Sequence, residues 1–384
     1  MLNSRRGGKI KVVIMGQKFL ESDDDGDEIL MSYDTPCTGG STQLCNDNCP
    51  NDFNPDQADL DGDGIGDVCD DTVGYPYLLK TPPIDVGSGP WGGIAVSPDD
   101  DFVYVTNFND DNVSVISTSD NLEHDTIQVG DGPTGVAISP DGAVLYVSNY
   151  NSSSVSVIDI ANNSRLDIPV GNNPFGISVT PHGEKVYVCN YGYNSSTVSV
   201  IDTSDDNSVS DITVGKRPYD VSVTDEYAYV SNRDSSTVSV IRTSDNEVLL
   251  PAIFVGGAPS GITVTPDGDH VYVNHFGSST VSVIDTFDNS VIDDVLVVIG
   301  AESIAVTPNG AHVYVNHPSV GTVSIIQTLD NSVIDADPTT DEIEPTIQVG
   351  NQPYGGGMAV SHDGKFVYVG NYSGNSVSVI GLEN

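Results

Sequence analysis

The chain has 384 residues, of which 55 are acidic and 13 basic, and its formal net charge is −42. Such a field repels nucleic acid and anionic membrane, and it favours cations and solubility. No run approaches the ~18 apolar residues of a membrane-crossing helix, so no membrane span is expected.

In chain order, residues 1–36 read as an acidic leader expected to be disordered. Basic residues occur at Arg5, Arg6, Lys9, Lys11 and Lys18. The apolar stretch between Lys11 and Gly16 is too short for the core of a secretory signal, and no small-residue cleavage site follows. Either the true start lies upstream or export is unusual. Glu21, Asp23, Asp25 and Gly26 imitate the opening of a cation loop. The later ligand positions fall on Ile29 and Ser32, so the stretch reads as a degenerate acidic run.

Residues 37–71 form a small irregular segment. Cys37, Cys45, Cys49 and Cys69 fall within 33 residues, beside Asp-rich loops. A clustered, even-numbered set suggests disulfides and an oxidising compartment. Four cysteines permit three connectivities, and proximity favours Cys37–Cys45 with Cys49–Cys69. Asp59, Asp61, Asp63, Asp67 and Asp70 take positions 1, 3, 5, 9 and 12 of a loop, with Gly64 at the sharp turn and Ile65 offering a carbonyl at position 7. A hard cation wants six to eight oxygens at short range, and alternating carboxylates on a curled strand supply them. No helices flank the loop. The stretch from Asp47 to Asp70 resembles a thrombospondin type 3 repeat. That resemblance implies bound calcium and a Cys49–Cys69 staple around a chain with little core of its own.

Residues 72–384 form the main domain, and from residue 86 onward one phrase recurs in it: V-G-x-x-P-x-G-I-x-V-[ST]-P-D-G-x-x-V-Y-V-x-N, a polar turn, V-S-V-I-D-T, and x-I-x-V-G. Its central tyrosine is Tyr104, Tyr146, Tyr187, Tyr229, Tyr272, Tyr314 and Tyr368. Successive spacings are 42, 41, 42, 43, 42 and 54, the last holding an insertion around Asp335–Pro345. Each unit carries four β-branched, alternating strand candidates, one pair joined by a P-D-G turn. A period of about 40–45 residues with four strands per unit is that of propeller blades. The seventh unit lacks its fourth strand, and Pro82–Gly87 matches Pro345–Gly350 in that role. The reading is an all-β, seven-bladed propeller of four-stranded blades, its last blade closed by a strand within residues 77–86.

Val103–Asn107 (V-Y-V-T-N), with V-S-V-I-D-T and V-G-x-x-P-x-G-I, resembles the YVTN-repeat propellers of surface-layer and secreted proteins. The resemblance covers residues 77–384 and implies fold and an extracellular or cell-surface location better than activity. The departures are local. The fourth unit lacks P-D-G at Thr224–Glu226, the sixth lacks the proline before Glu302, and the fifth and sixth end their second strand in His275 and His317.

Propellers bind ligands where loops enter the innermost strands. After the V-G-x-x-P phrase stand Trp91, Thr134, Phe175, Tyr219, Ser260 and Tyr354. Trp91, Phe175, Tyr219 and Tyr354, with Arg217, are the candidate funnel site, set against ordinary blade-to-blade packing. Lys216, Arg217, Arg233 and Arg242 concentrate positive charge in the fourth unit, either as an anion seat or as scattered surface charge. Cys189 reads as a small buried residue. Sequons at Asn112, Asn151, Asn162, Asn194 and Asn371 are all expected on the surface. No G-x-S-x-G, H-E-x-x-H or C-x-x-C-H occurs. The expectation is a non-enzymatic, calcium-binding propeller acting in adhesion or in binding a cell-surface or matrix protein or glycan. A secreted hydrolase of the lactonase kind and a structural envelope component are the alternatives.

Overall fold

The computed structural model describes residues 76–78, 82–334, 346–350 and 357–382. The leader, the four clustered cysteines, the predicted calcium ligands, the insertion and Tyr354 lie outside the described residues. The chain divides into two compact units, Met1–Pro76 with Leu382–Asn384, and Tyr77–Gly381. The second is the propeller.

Seven antiparallel sheets follow one another around a ring. Blade 1 runs Pro90–Val96, Phe102–Asn107, Asn112–Ser117 and Leu122–Gln128 from the inside outward. The pattern repeats through blade 6, whose outer strand is Ile347–Gln348. Blade 7 contributes Met358–Val360, Phe366–Asn371 and Ser376–Leu382. Ile84–Asp85 pairs with the last of these, Ile84 opposite Val377, and Pro76–Leu78 hydrogen-bonds to the same strand. The inner strand of blade 7 packs against that of blade 1, so the ring closes.

The blades have no wet face, which is why their middle strands are apolar on both sides. In blade 1, Val103 and Val105 turn toward blade 7, meeting Tyr368 and Val379, whereas Tyr104 turns toward blade 2, meeting Leu145 and Val147. Fully burying one such side chain contributes about 1.5–3 kcal/mol. Outer strands each bury a single anchor, Ile127, Ile168, Ile212, Ile253, Val295 or Ile347, and are otherwise exposed save in blade 4, where Val248, Leu249 and Ala252 are half-buried. Ile84, 5% exposed, is that anchor for blade 7, so the closing strand does the work of a fourth strand.

Two side-chain devices hold the blade edges. The asparagine ending the second strand is buried, and its amide donates to a third-strand serine, as from Asn190 Nδ2 to Ser199 Oγ at 2.9 Å. It lies over the glycine of the V-G phrase: a Cβ at Gly171 would fall 2.3 Å from Asn190 Cγ, so only glycine fits. A hydroxyl one residue earlier reaches the next blade, Thr106 Oγ1 donating to the Thr134 carbonyl at 2.7 Å and Ser231 Oγ to the Ser260 carbonyl at 2.6 Å.

On the opposite rim, the proline of each P-D-G turn packs on the turn glycine of the next blade. Pro140 comes within 3.3 Å of a Cβ built at Gly183, and Pro266 within 3.4 Å of one at Gly310. Blade 4 breaks this chain. Its turn, Thr224–Glu226, has no proline, and nothing lies within 4 Å of a Cβ at Gly268 in blade 5. The gap opens into a notch of about 820 Å³, lined by Asp225, Tyr227, Pro266 and Asp267 among others.

Asn371 corrects a reading of the sequence. It is 0% exposed, with its amide on Ser376 and Ser378. It is the structural asparagine of blade 7 and not a surface sequon. Asn151, Asn162 and Asn194 are exposed and Asn112 half-buried. Cys189 is buried with a free thiol, as expected.

Candidate functional site

Strand pairing sets which residues meet at the ring's upper face. Pro90 opposes Asn107, Pro133 opposes Asn149 and Pro174 opposes Asn190. The residue after each proline and the residue after each asparagine therefore rise at the same end of a blade. The first position supplies Trp91, Phe175 and Tyr219. The second supplies Phe108, Tyr150 and Tyr191, which sequence reading had left within polar turns, and Arg233, which it had noted for its charge.

Together they form a continuous crescent over blades 1–4. Trp91 stands edge-on to Phe108 at 4.8 Å and to Phe175 at 5.5 Å, centroid to centroid. Phe175 lies 4.5 Å from Tyr219, and Tyr191 meets Tyr219 at 5.2 Å, nearly perpendicular. Phe175 and Tyr219 are buried at 4% and 5% exposure, whereas Trp91, Phe108, Tyr150 and Tyr191 are half-buried above them. The lower rings are packing, and the upper ones present a surface. Thr134 and Ser260, from the same predicted ring, are wholly buried and bond the next blade's carbonyls, Thr134 Oγ1 to Pro174 O at 3.0 Å and Ser260 Oγ to Ala301 O at 3.2 Å.

Cations join the crescent at blade 4. The Arg217 guanidinium sits 4.2 Å from the Tyr191 centroid, and that of Arg233 sits 4.2 Å from Phe276 and 5.4 Å from Tyr219. Arg217 has φ +51°, a left-handed conformation filled by Gly132 in blade 2 and Asn173 in blade 3. Arg242 belongs elsewhere: at the far end of its strand it binds Asp245 and Glu247, each at 2.8 Å.

Two carboxylates face the centre. Glu302 occupies in blade 6 the place of Thr134 in blade 2, because Ile304 opposes Val315 as Val136 opposes Val147. It is 8% exposed, and Tyr219 Oη donates to its Oε1 at 3.0 Å. Burial, and then the Glu302 charge, push the Tyr219 phenol well above its usual range. Asp220 replaces a glycine of the phrase. Its oxygens accept from the backbone N–H of Val221 at 2.9 Å and, across the blade gap, of Ile262 at 3.3 Å. Burial pushes its carboxyl up to about 6.

His275 and His317 fill the asparagine seat in blades 5 and 6. Each places Nε2 2.8 Å from a serine of its own blade, Ser282 and Ser324 respectively. Burial lowers both, His317 to about 4, so they are neutral struts beneath the surface.

The architecture is that of a seven-bladed β-propeller with an aromatic upper face and two central carboxylates. A family model described as lactonase, 7-bladed beta-propeller, matches residues 83–168, the closing strand and first two blades. Among solved structures the chain is similar to a Kuenenia stuttgartiensis hydrazine synthase, at 23% identity and a TM-score of 0.67, over 79% of this chain and 99% of that one. It is similar to a streptogramin B lyase at 15% identity and a TM-score of 0.63, over 80% of this chain and 97% of that one. A virginiamycin B lyase from Staphylococcus aureus matches at 15% identity and a TM-score of 0.63, over 77% of this chain and 96% of that one. No curated protein matches the sequence. At these identities the likeness is one of fold.

Proposed function

We propose that the chain is a recognition propeller working outside the cell, which holds a glycan on its aromatic face. The observation that carries this is the unbroken run of ring contacts from Trp91 to Tyr219 with its upper members half-buried. Flat, amphipathic rings held rigidly at a surface stack on sugar faces at small entropic cost. Trp91 is the only tryptophan, so its fluorescence reports the site directly. A panel of plant and bacterial polysaccharides should include one that shifts that emission, and Trp91→Ala should abolish its retention in affinity electrophoresis. A folded Trp91→Ala chain that retains every ligand overturns the reading.

The location outside the cell rests on the cysteine cluster and the surface-layer resemblance, and the calcium segment on the aspartate spacing of residues 59–70. A segment with no apolar core owes its order to the metal. Calorimetry with and without chelator should lose one low-stability transition, and an unchanged scan refutes calcium.

Asp220 favours a second reading, lactonase-type hydrolysis in the funnel. A carboxyl pushed up to about 6, on the residue after the Tyr219 that donates to Glu302, suits general-base work. The lactonase match to residues 83–168 adds support. Lactone turnover abolished by Asp220→Asn would establish it, and no turnover across a broad panel would dismiss it.

A further inference from the structure

Among the described residues the Arg233 guanidinium makes no hydrogen bond and no ion pair. In a chain carrying 55 acidic residues against 13 basic ones, that calls for a reason. Arg165 and Arg242, by contrast, hold carboxylates at 2.6 Å and 2.8 Å. Arg233 is instead fixed by rings: Phe276 at 4.2 Å, Tyr219 at 5.4 Å and Tyr191 at 5.9 Å from its central carbon. Stacking of this kind orients the planar fork while leaving its N–H donors unspent. Tyr219, one of these rings, is itself fixed by donating its hydroxyl to Glu302 at 3.0 Å.

Arg217 repeats the arrangement on the same tyrosine. Its guanidinium lies 4.2 Å from the Tyr191 centroid, and its one ion pair, to Asp234, is long at 3.5 Å. Its Nε is buried with no partner. Its backbone holds a left-handed conformation that blades 1 to 3 give to glycine or asparagine and blade 5 to Ala258, a local cost that persists where surrounding structure enforces it. Two guanidiniums thus stand within 6 Å of one ring centroid, at the end of the crescent that begins with Trp91.

We infer that Arg233 and Arg217 are an anion seat, and that the glycan held by this face carries carboxylates, as a uronic-acid oligosaccharide does. This rests on the glycan reading above and adds its charge. Guanidinium matches carboxylate bidentately, and such charge-assisted bonds are the strong ones. The adjoining rings of Tyr150 and Trp91, 6.2 Å apart, take the neighbouring sugar faces. The protein's overall negative field opposes a long polyanion, but it is screened beyond about 8 Å at physiological salt, whereas contacts in the seat are not. Short acidic oligomers are therefore the fitting class.

The test uses the full chain, Trp91 fluorescence, and oligogalacturonate beside its methyl ester, which is the same sugar without the charge. The acid form should bind roughly tenfold or more tightly than the ester. Arg233→Gln should erase the preference with thermal stability retained, and Arg233→Lys should restore only part of it. Arg217→Gln supplies a second, independent variant should the first fail to fold. Equal binding of acid and ester, lost in Trp91→Ala as read by affinity electrophoresis, would keep the aromatic face and overturn the anion seat. Binding of neither form overturns this inference, while binding of other neutral glycans in the polysaccharide panel would still leave the wider glycan reading standing.

Discussion

His362 of blade 7 and Asp100 of blade 1 clasp the seam where the ring closes: the His362 backbone N–H reaches Asp100 Oδ1 at 2.7 Å, and the Asp363 N–H reaches Oδ2 at 2.9 Å. At four other junctions of this rim proline lies on glycine. Here histidine replaces the proline and aspartate replaces the glycine, keeping the left-handed turn at φ +62°. A packing contact has become a charge-assisted one at the seam between the last blade and the first.

Asp100→Ala should therefore lower stability by about 1–2 kcal/mol, the loss of two hydrogen bonds to a carboxylate at a half-exposed site. Asp100→Gly should cost less, since glycine relieves the left-handed backbone. Urea titrations of both variants measure the difference. Equal stability of wild type and Asp100→Ala would show that the clasp contributes nothing.

The glycine beneath each buried asparagine should be intolerant of any side chain. Gly171→Ala drives a methyl into Asn190 and should cost about 1–3 kcal/mol, the usual range for overpacking. Adding Asn190→Ser makes room, so the double variant should be less destabilised than the sum of the singles. Strict additivity in a double-mutant cycle would refute the contact.

Acid stability should reflect two opposed groups. His317 is neutral when folded, with its pKa lowered from 6.5 to about 4. The unfolded chain thus binds the proton first, and stability falls as pH drops from about 6.5 toward 4, by about 3 kcal/mol at most. Asp220 runs the other way: raised from 3.8 to about 6, it takes its proton in the folded state, so its contribution grows as pH falls through 6 and is lost as pH rises. Asp220→Asn should steepen the acid loss and His317→Asn should flatten it, as read from melting temperatures between pH 4 and 7. Parallel profiles for all three proteins would contradict the assignment.

Thiol titration separates the buried cysteine from the clustered four. Burial holds the Cys189 thiol in its unreactive, protonated form. If Cys37, Cys45, Cys49 and Cys69 are paired, the native protein should show no reactive thiol, the denatured protein one, and the reduced and denatured protein five. Four fast thiols in the native protein would rule out the disulfides.

The fold was legible because each blade repeats one chemical solution at nearly constant spacing: Tyr104 to Tyr368 mark the blade interiors, and Ile84 shows the pattern of an outer-strand anchor in advance of any blade. The upper face was half legible. Trp91, Phe175 and Tyr219 stood out after proline. Phe108, Tyr150 and Tyr191 did not, because they begin a turn rich in Asn, Ser and Asp, where polarity suggests solvent, and Arg233 stood out for its charge but not for its place among the rings. Their regular place directly after the buried asparagine was the available signal. Glu302 was hidden by the missing proline of its blade, which obscured that it stands where the other blades carry Thr134 or Phe175. Phe276, which meets Arg233 from the next blade, holds that same place after His275, where histidine instead of asparagine obscured it.

The closing strand carries a consequence for how the molecule is made. Gly89 donates to Asn375, 286 positions away, and Ile84 pairs only with the last blade. During synthesis this strand leaves the ribosome before any blade and finds its partner after all of them. Contacts so remote form slowly, and through that interval both the strand and the unfinished edge of the ring offer unsatisfied backbone to any neighbouring chain. Two nascent molecules in proximity could exchange the strand, each completing the other's seventh blade, so dilution and chaperone cover during expression should favour the closed monomer over linked rings.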